Sequence, residues 1–123
     1  MSNEFDLVVG HLSESLKLLS ASADEQVKYL HEAEEFVLPV DEFAQDYVHW
    51  MQSYFSFGGA AAAPTLRQID GILEKFSGME NAEHWSEDAL KSDPVWKQVR
   101  KLARGALEEL SDVSNSGFRP APG

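Results

Sequence analysis

The chain has 123 residues, of which 43% are hydrophobic and 11% are aromatic. This length suffices for one domain with a modest core, and this aromatic content argues against a chain that stays unfolded. The formal net charge of −11 disfavours binding to nucleic acid and to anionic membranes, and it favours basic protein partners. The absence of cysteine excludes disulfides, thiolate metal sites and cysteine nucleophiles.

The acidic excess is concentrated in the first half of the chain. Residues 1–66 carry eleven acids and two lysines, whereas residues 67–123 carry ten acids and eight bases. The N-terminal sequence MSNEFD is acidic and lacks the basic and then apolar pattern of a signal peptide. No apolar stretch approaches the ~20 residues that cross a bilayer. We therefore expect a cytoplasmic protein that does not associate with membranes.

Helical periodicity runs through most of the chain. Apolar residues at intervals of three and four predict a first helix over residues 3–21. Ser22 and Glu25 have the spacing of a capping box, which predicts a second helix over residues 23–35 with Ala33 facing inward. Pro39 ends this helical run, because proline lacks the amide that a helix needs.

The third predicted helix, from Asp41 to Phe57, has the widest apolar face of the chain. An apolar face this wide must be covered on more than one side, so we expect this helix at the centre of the fold. We expect Tyr47, Trp50 and Phe55 in the core. The aromatic residues recur at intervals of four and three: Phe43, Tyr47, Trp50, Tyr54 and Phe57.

Three more helices are predicted after this one, over residues 66–76, 85–90 and 94–110. Thr65 and Gln68 have capping-box spacing, Ser86 is a helix cap, and Asp93 precedes a proline at a first helical position. Residues 114–123 show no periodicity and predict a disordered tail after one domain of residues 1–113. The predicted fold is all-α, a single compact domain of about five helices in a bundle-like or orthogonal arrangement.

Catalytic and metal-binding motifs are weakly represented. The carboxylate–histidine pattern of a di-iron bundle occurs only once, as Asp46 and His49, and no Gly-x-Ser-x-Gly sequence is present. We expect neither enzymatic activity nor a cofactor. A helical metal-binding protein that uses His31 and His49 is the weaker alternative.

A basic stripe at helical spacing lies on the last predicted helix: Lys97, Arg100, Lys101 and Arg104. A nucleic-acid patch is one interpretation of the stripe, but the overall negative charge opposes it. We favour ion pairs with acids of the first three helices, or exposure to solvent.

The sequence WSEDAL over residues 85–90, followed by DPVW over residues 93–96, resembles the end of small helical bacterial proteins. Together with LLSASADEQ over residues 18–26, it is similar to acidic single-domain proteins that act as immunity partners in polymorphic-toxin loci. The resemblance implies neutralisation of a partner by binding, and it implies no particular functional residue.

These observations predict a non-enzymatic acidic module that binds a basic protein, such as a toxin or effector, as an immunity-type inhibitor. Carboxylates would steer the partner, and aromatic residues beside them would anchor it. The predicted partner-binding residues are Glu32, Glu34, Glu35, Asp41, Glu42, Asp46, Phe43 and Tyr47. The alternative is a self-associating structural or adaptor protein, a homodimer that covers an exposed edge formed by Phe43, Tyr54 or Phe57.

Overall fold

Helices account for all the regular structure of the described residues. The computed structural model describes residues 4–32, 35–57 and 64–115, with side chains as far as residue 111. Within these ranges there is no strand, so the all-α prediction is confirmed. The described elements are α1 (Glu4–Ser20), α2 (Ala23–Leu30), α3 (Asp41–Ser56), α4 (Thr65–Lys75), a 3-10 segment (Met79–Trp85), α5 (Glu87–Ser92) and α6 (Pro94–Asn115).

The packing of α1 against α6 forms the middle of the core. α3 then covers α1, α4 covers α6, and α5 lies between α2 and α6. The buried apolar residues of α1 share one helix face: Val8, Val9, Leu12, Leu16 and Leu19. The buried apolar residues of α6 do the same, and two of them are alanines that let a neighbouring helix approach closely: Trp96, Val99, Ala103, Ala106 and Leu110.

α3 lies to one side of this pair, which corrects the expectation that it is the central helix. It packs mainly on α1 and makes little contact with α4. Trp50, expected in the core, is only half-buried, and its ring stacks on that of His11 with 4.2 Å between the centroids. One edge of the wide apolar face is therefore left uncovered. The buried residues of α3 are Phe43, Tyr47, Met51 and Tyr54.

The helix boundaries follow the predicted caps in part. The Ser22–Glu25 capping box is present, and the Ser86 hydroxyl accepts the Ala89 amide of α5. The predicted capping box at Thr65 is absent, since the Glu109 carboxylate of α6 accepts both the amide and the hydroxyl of Thr65.

The predicted and observed ends of the helices differ at α2 and α6. α2 ends at Leu30 rather than near residue 35, and α6 continues to Asn115, past the predicted start of the tail. Ala33 and residues 116–123 lie outside the described residues. None of the helices in the described ranges combines the length and the apolar character that crossing a bilayer requires.

A buried polar contact joins α1, α2 and α6. The Gln26 side-chain amide donates to the carbonyl oxygens of Leu18 and Leu19, at 2.9 and 3.1 Å. The Arg100 guanidinium donates to the Gln26 side-chain oxygen at 2.9 Å. Gln26 is fully buried and Arg100 is 8% exposed. The carbonyls at the negative, C-terminal end of α1 polarise the Gln26 amide. The Gln26 oxygen in turn stabilises the buried Arg100 cation.

Arg100 therefore departs from the expectation for the basic stripe. Within the described ranges it has no carboxylate at ion-pair distance, and its burial, with the nearby charge of Arg104, lowers its pKa. Lys97, Lys101 and Arg104 are exposed, as one interpretation of the stripe expected. The stripe therefore divides into one buried cation and three exposed ones.

Gln26→Ala should lower the free energy of unfolding by about 2–3 kcal/mol, because it leaves the Arg100 charge buried without its acceptor. Gln98→Ala, the same change at an exposed position of α6, should stay within about 0.5 kcal/mol of the wild type. Urea denaturation followed by circular dichroism measures both. Equal effects of the two substitutions would show that the buried contact contributes no net stability.

Candidate functional site

The two aromatic residues predicted to anchor a partner are buried. Phe43 is 2% exposed and Tyr47 is fully buried. The Tyr47 hydroxyl donates to the Leu66 carbonyl oxygen at 2.8 Å, which links α3 to the start of α4. The prediction that these side chains contact a partner is therefore corrected: they belong to the core, because α1 covers the face of α3 on which they lie.

The predicted carboxylates stay at or near the surface. Glu34 lies outside the described residues. The other five, which we call the acidic surface, include three exposed residues and two half-buried ones: Glu32, Glu35, Asp41, Glu42 and Asp46.

Three residues of the acidic surface act electrostatically on the hydroxyl of Tyr29. Burial of this hydroxyl raises its pKa, and the charges of Asp46, Glu42 and Glu32 raise it further. The sequence prediction placed Glu32, Glu42 and Asp46 in one partner-binding set, and all three influence the same hydroxyl. The negative field of the acidic surface therefore extends from the end of α2 to the first turns of α3.

Two exposed apolar residues lie beside the acidic surface, and sequence reasoning missed them. Phe36 is 58% exposed and Val37 is 52% exposed, in the loop between α2 and α3. The Leu38 amide donates to the Leu30 carbonyl oxygen at 2.9 Å, which fastens this loop to the end of α2. Pro39 is the sequence signal for the exposure of these two residues, because a segment held out of a helix by proline has no helix face on which to bury its apolar residues.

A groove of about 1040 Å³ separates α3 from α4, and we call it the α3–α4 groove. Its α3 wall has an apolar strip between polar side chains, at helical spacing: Asp41, Ala44, Gln45, Val48, His49 and Gln52. No pattern in the sequence indicates that α4 faces this side of α3 across a gap.

The opposite wall of the α3–α4 groove comes from α4, and one end is formed by the 3-10 segment. Asp70, Leu73 and Glu74 line the α4 wall. The residues that close the end are Ser77, Gly78, Met79, Ala82 and Trp85. Three carboxylates and no lysine or arginine line the groove, so its charge is negative over an apolar floor.

Two tryptophans fix the closed end of the α3–α4 groove. The Trp85 indole N–H donates to the Phe76 carbonyl oxygen, and the Trp96 indole N–H donates to the His84 carbonyl oxygen at 2.6 Å. The two indole rings meet edge to face, with 5.4 Å between their centroids. Gly78, at a φ of +100°, allows the chain to turn from α4 into the 3-10 segment.

Asp93 attaches the 3-10 segment to the start of α6. One of its carboxylate oxygens accepts the Val95 amide at 2.9 Å, and the other accepts the His84 Nδ1–H at 2.5 Å. Burial by itself would raise the pKa of Asp93, but these two hydrogen bonds and the charge of His84 lower it below its ordinary value. The charged carboxylate therefore contributes to holding the closed end in place.

The histidines considered for a metal site have other contacts. His31 lies 2.7 Å from a Glu87 carboxylate oxygen and joins the end of α2 to α5. His49 lines the α3–α4 groove and packs against Trp50. In the described part of the chain, no three or more His, Asp or Glu side chains are grouped so that they could hold a metal ion.

No family model matches the chain, and neither the curated proteins nor the solved structures contain a match to it.

Phe43→Ala should destabilise the protein by about 3–5 kcal/mol, because it opens a cavity in the core. Phe36→Ala, the same change in an exposed loop, should stay within about 0.5 kcal/mol of the wild type. Urea denaturation of both variants tests which aromatic residue is free to contact a partner. A large loss with Phe36→Ala, or a negligible one with Phe43→Ala, would contradict the placement of these rings.

Asp93→Asn keeps the helix cap and removes the charge. Because the folded pKa of Asp93 is lowered, its charge stabilises the fold above the ordinary aspartate pKa of about 3.9, and this stability is lost as the pH falls through the folded value. We therefore expect Asp93→Asn to be destabilising at pH 7 and closer to the wild type at pH 3. The free energy of unfolding, measured in urea at both pH values, is the test. A difference that is independent of pH would contradict the role of the charge.

Proposed function

We propose that this chain is a non-enzymatic protein-binding module that captures a basic partner protein and, as an immunity-type inhibitor, neutralises it. The α3–α4 groove carries the proposal, since it combines an apolar floor with three carboxylates and no lining base. An apolar floor supplies affinity when it loses water, and carboxylates at its edge select a partner of opposite charge.

The acidic surface supports the proposal through its field. Glu32, Glu35 and Asp41 are exposed, and the chain as a whole carries −11. At ~0.15 M salt the Debye length is about 8 Å, so these charges act mainly during the final approach of a partner. Asp41 belongs to both the acidic surface and the α3–α4 groove, which makes the two continuous.

Phe36 and Val37 take the anchoring role in this proposal, in place of Phe43 and Tyr47. They are exposed apolar side chains next to Glu35, which is the combination that the sequence prediction sought on α3. Desolvated apolar anchors surrounded by charged residues contribute most of the affinity in many interfaces.

The two alternatives predicted from the sequence, a homodimer and a metal-binding protein, have less support. The aromatic edge for a homodimer is reduced to Phe57, because Phe43 and Tyr54 are buried. For a metal-binding protein, His31 is engaged with Glu87, and His49 lies in the α3–α4 groove.

Affinity capture from the native host, followed by mass spectrometry and purification of the captured protein, should yield a basic partner. We expect Glu35→Lys and Asp41→Lys together to slow its association by about tenfold at low salt, because on-rates depend on local charge. Stopped-flow kinetics at two salt concentrations measures the rate.

The matched control for this prediction is Glu108→Lys together with Asp88→Lys. These exposed residues lie outside the α3–α4 groove and the acidic surface, and the variant has the same net charge as the test variant. An acidic partner, or equal slowing by the two double variants, would contradict the proposed electrostatic capture.

A further inference from the structure

We propose that the α3–α4 groove receives a single amphipathic α-helix of the partner, about three turns long, with an apolar stripe flanked by lysine or arginine. This inference rests on the proposed function, because it identifies the part of the partner that the module holds. Four features of the groove support it: its length, the backbone of its walls, its charges and its floor.

The length of the α3–α4 groove matches a short helix. Its α3 wall extends from Asp41 to Gln52. At 1.5 Å per residue this distance is about 16 Å, which equals three turns of an α-helix. The groove-facing residues of α3 also recur at helical spacing, so a second helix lying along them would meet a regular series of ridges and gaps.

The walls favour a helix over an extended peptide. α3 and α4 pair their backbone amides and carbonyls internally, and the described lining contains no strand edge to which a peptide could add. An extended peptide would leave its own amides unpaired against Ala44, Val48 and Leu73, and each unpaired buried group carries a penalty. A helix satisfies these groups itself, so only its side chains need to fit the floor.

The charges of the α3–α4 groove define the flanks of the guest helix. Asp70 and Glu74 lie one turn apart on the α4 wall, and Asp41 lies at the start of the α3 wall. Two basic residues four positions apart on a helix would face Asp70 and Glu74. An acidic helix would meet three carboxylates with no compensating base in the lining, which disfavours it.

The floor offers a surface to an apolar stripe. Ala44 and Val48 lie one turn apart on α3, and the half-buried Trp85 closes one end. Met79 stands at the same end and is 93% exposed. Its flexible thioether side chain can adapt to different apolar residues of a guest helix.

Fluorescence anisotropy with the whole chain tests the inference, using labelled synthetic peptides of 14 residues. The probe carries leucines at positions i, i+3, i+4 and i+7 and lysines beside them. One control peptide has the same composition in scrambled order, and another has two prolines in its middle. We expect the amphipathic peptide to bind at least about tenfold more tightly than either control, because only it combines a helix with an apolar stripe.

Two variants of the chain locate the binding. Glu74→Lys should weaken binding of the amphipathic peptide at least about tenfold, because it places like charges in the α3–α4 groove. Glu108→Lys makes the same change of charge at an exposed position of α6 outside the groove, and it should have little effect. Circular dichroism of each variant checks that it is folded.

The possible failures are distinguishable. Equal binding of the three peptides, or equal effects of the two variants, would overturn the helix in the groove while leaving capture of a basic protein intact. A change of oligomeric state on Glu74→Lys, seen by sedimentation, would assign the groove to a second copy and would also overturn the inference. Failure of the wild-type chain both to bind the amphipathic peptide and to capture a basic partner would overturn the inference and the proposed function together.

Discussion

The contact of Arg100 with Gln26 is the constraint on which the arrangement of the helices depends. A buried guanidinium needs acceptors, and Gln26 provides one while its amide nitrogen is held by the last carbonyls of α1. The contact fixes α2 against the end of α1 and fixes both against the middle of α6. Apolar packing between α1 and α6 is compatible with several offsets along the axes, whereas this hydrogen-bonded contact favours one of them.

The α3–α4 groove follows from this arrangement. α3 packs mainly on α1 and α4 mainly on α6, so the inner pair contributes most to setting the distance between the two outer helices. The hydroxyl of Tyr47 and the carboxylate of Glu109 fasten the start of α4 to α3 and α6. At the other end of α4, the interlocked Trp85 and Trp96 hold the 3-10 segment across the opening.

Local patterns in the sequence predicted where most helices lie, but not which helices pack against each other. The capping box at Ser22 and the cap at Ser86 depend on a few adjacent residues, so both were recognisable. The burial of Phe43 was not recognisable, since an amphipathic pattern reveals which face is apolar but not which neighbouring helix covers it. Gln26 and Arg100 were missed for the same reason: their contact joins residues 74 positions apart. The groove, a space between two helices, has no local signature at all.

The separation of the groove walls from the core has an evolutionary consequence. All six residues of the α3 wall are exposed or half-buried, and Leu73 is the most deeply buried residue of the α4 wall. Substitutions at exposed helix positions change stability little. Substitutions can therefore diversify the groove while Arg100, Gln26 and the α1–α6 core stay as they are. A lineage of such proteins could keep one scaffold and differ in the residues that line this one surface.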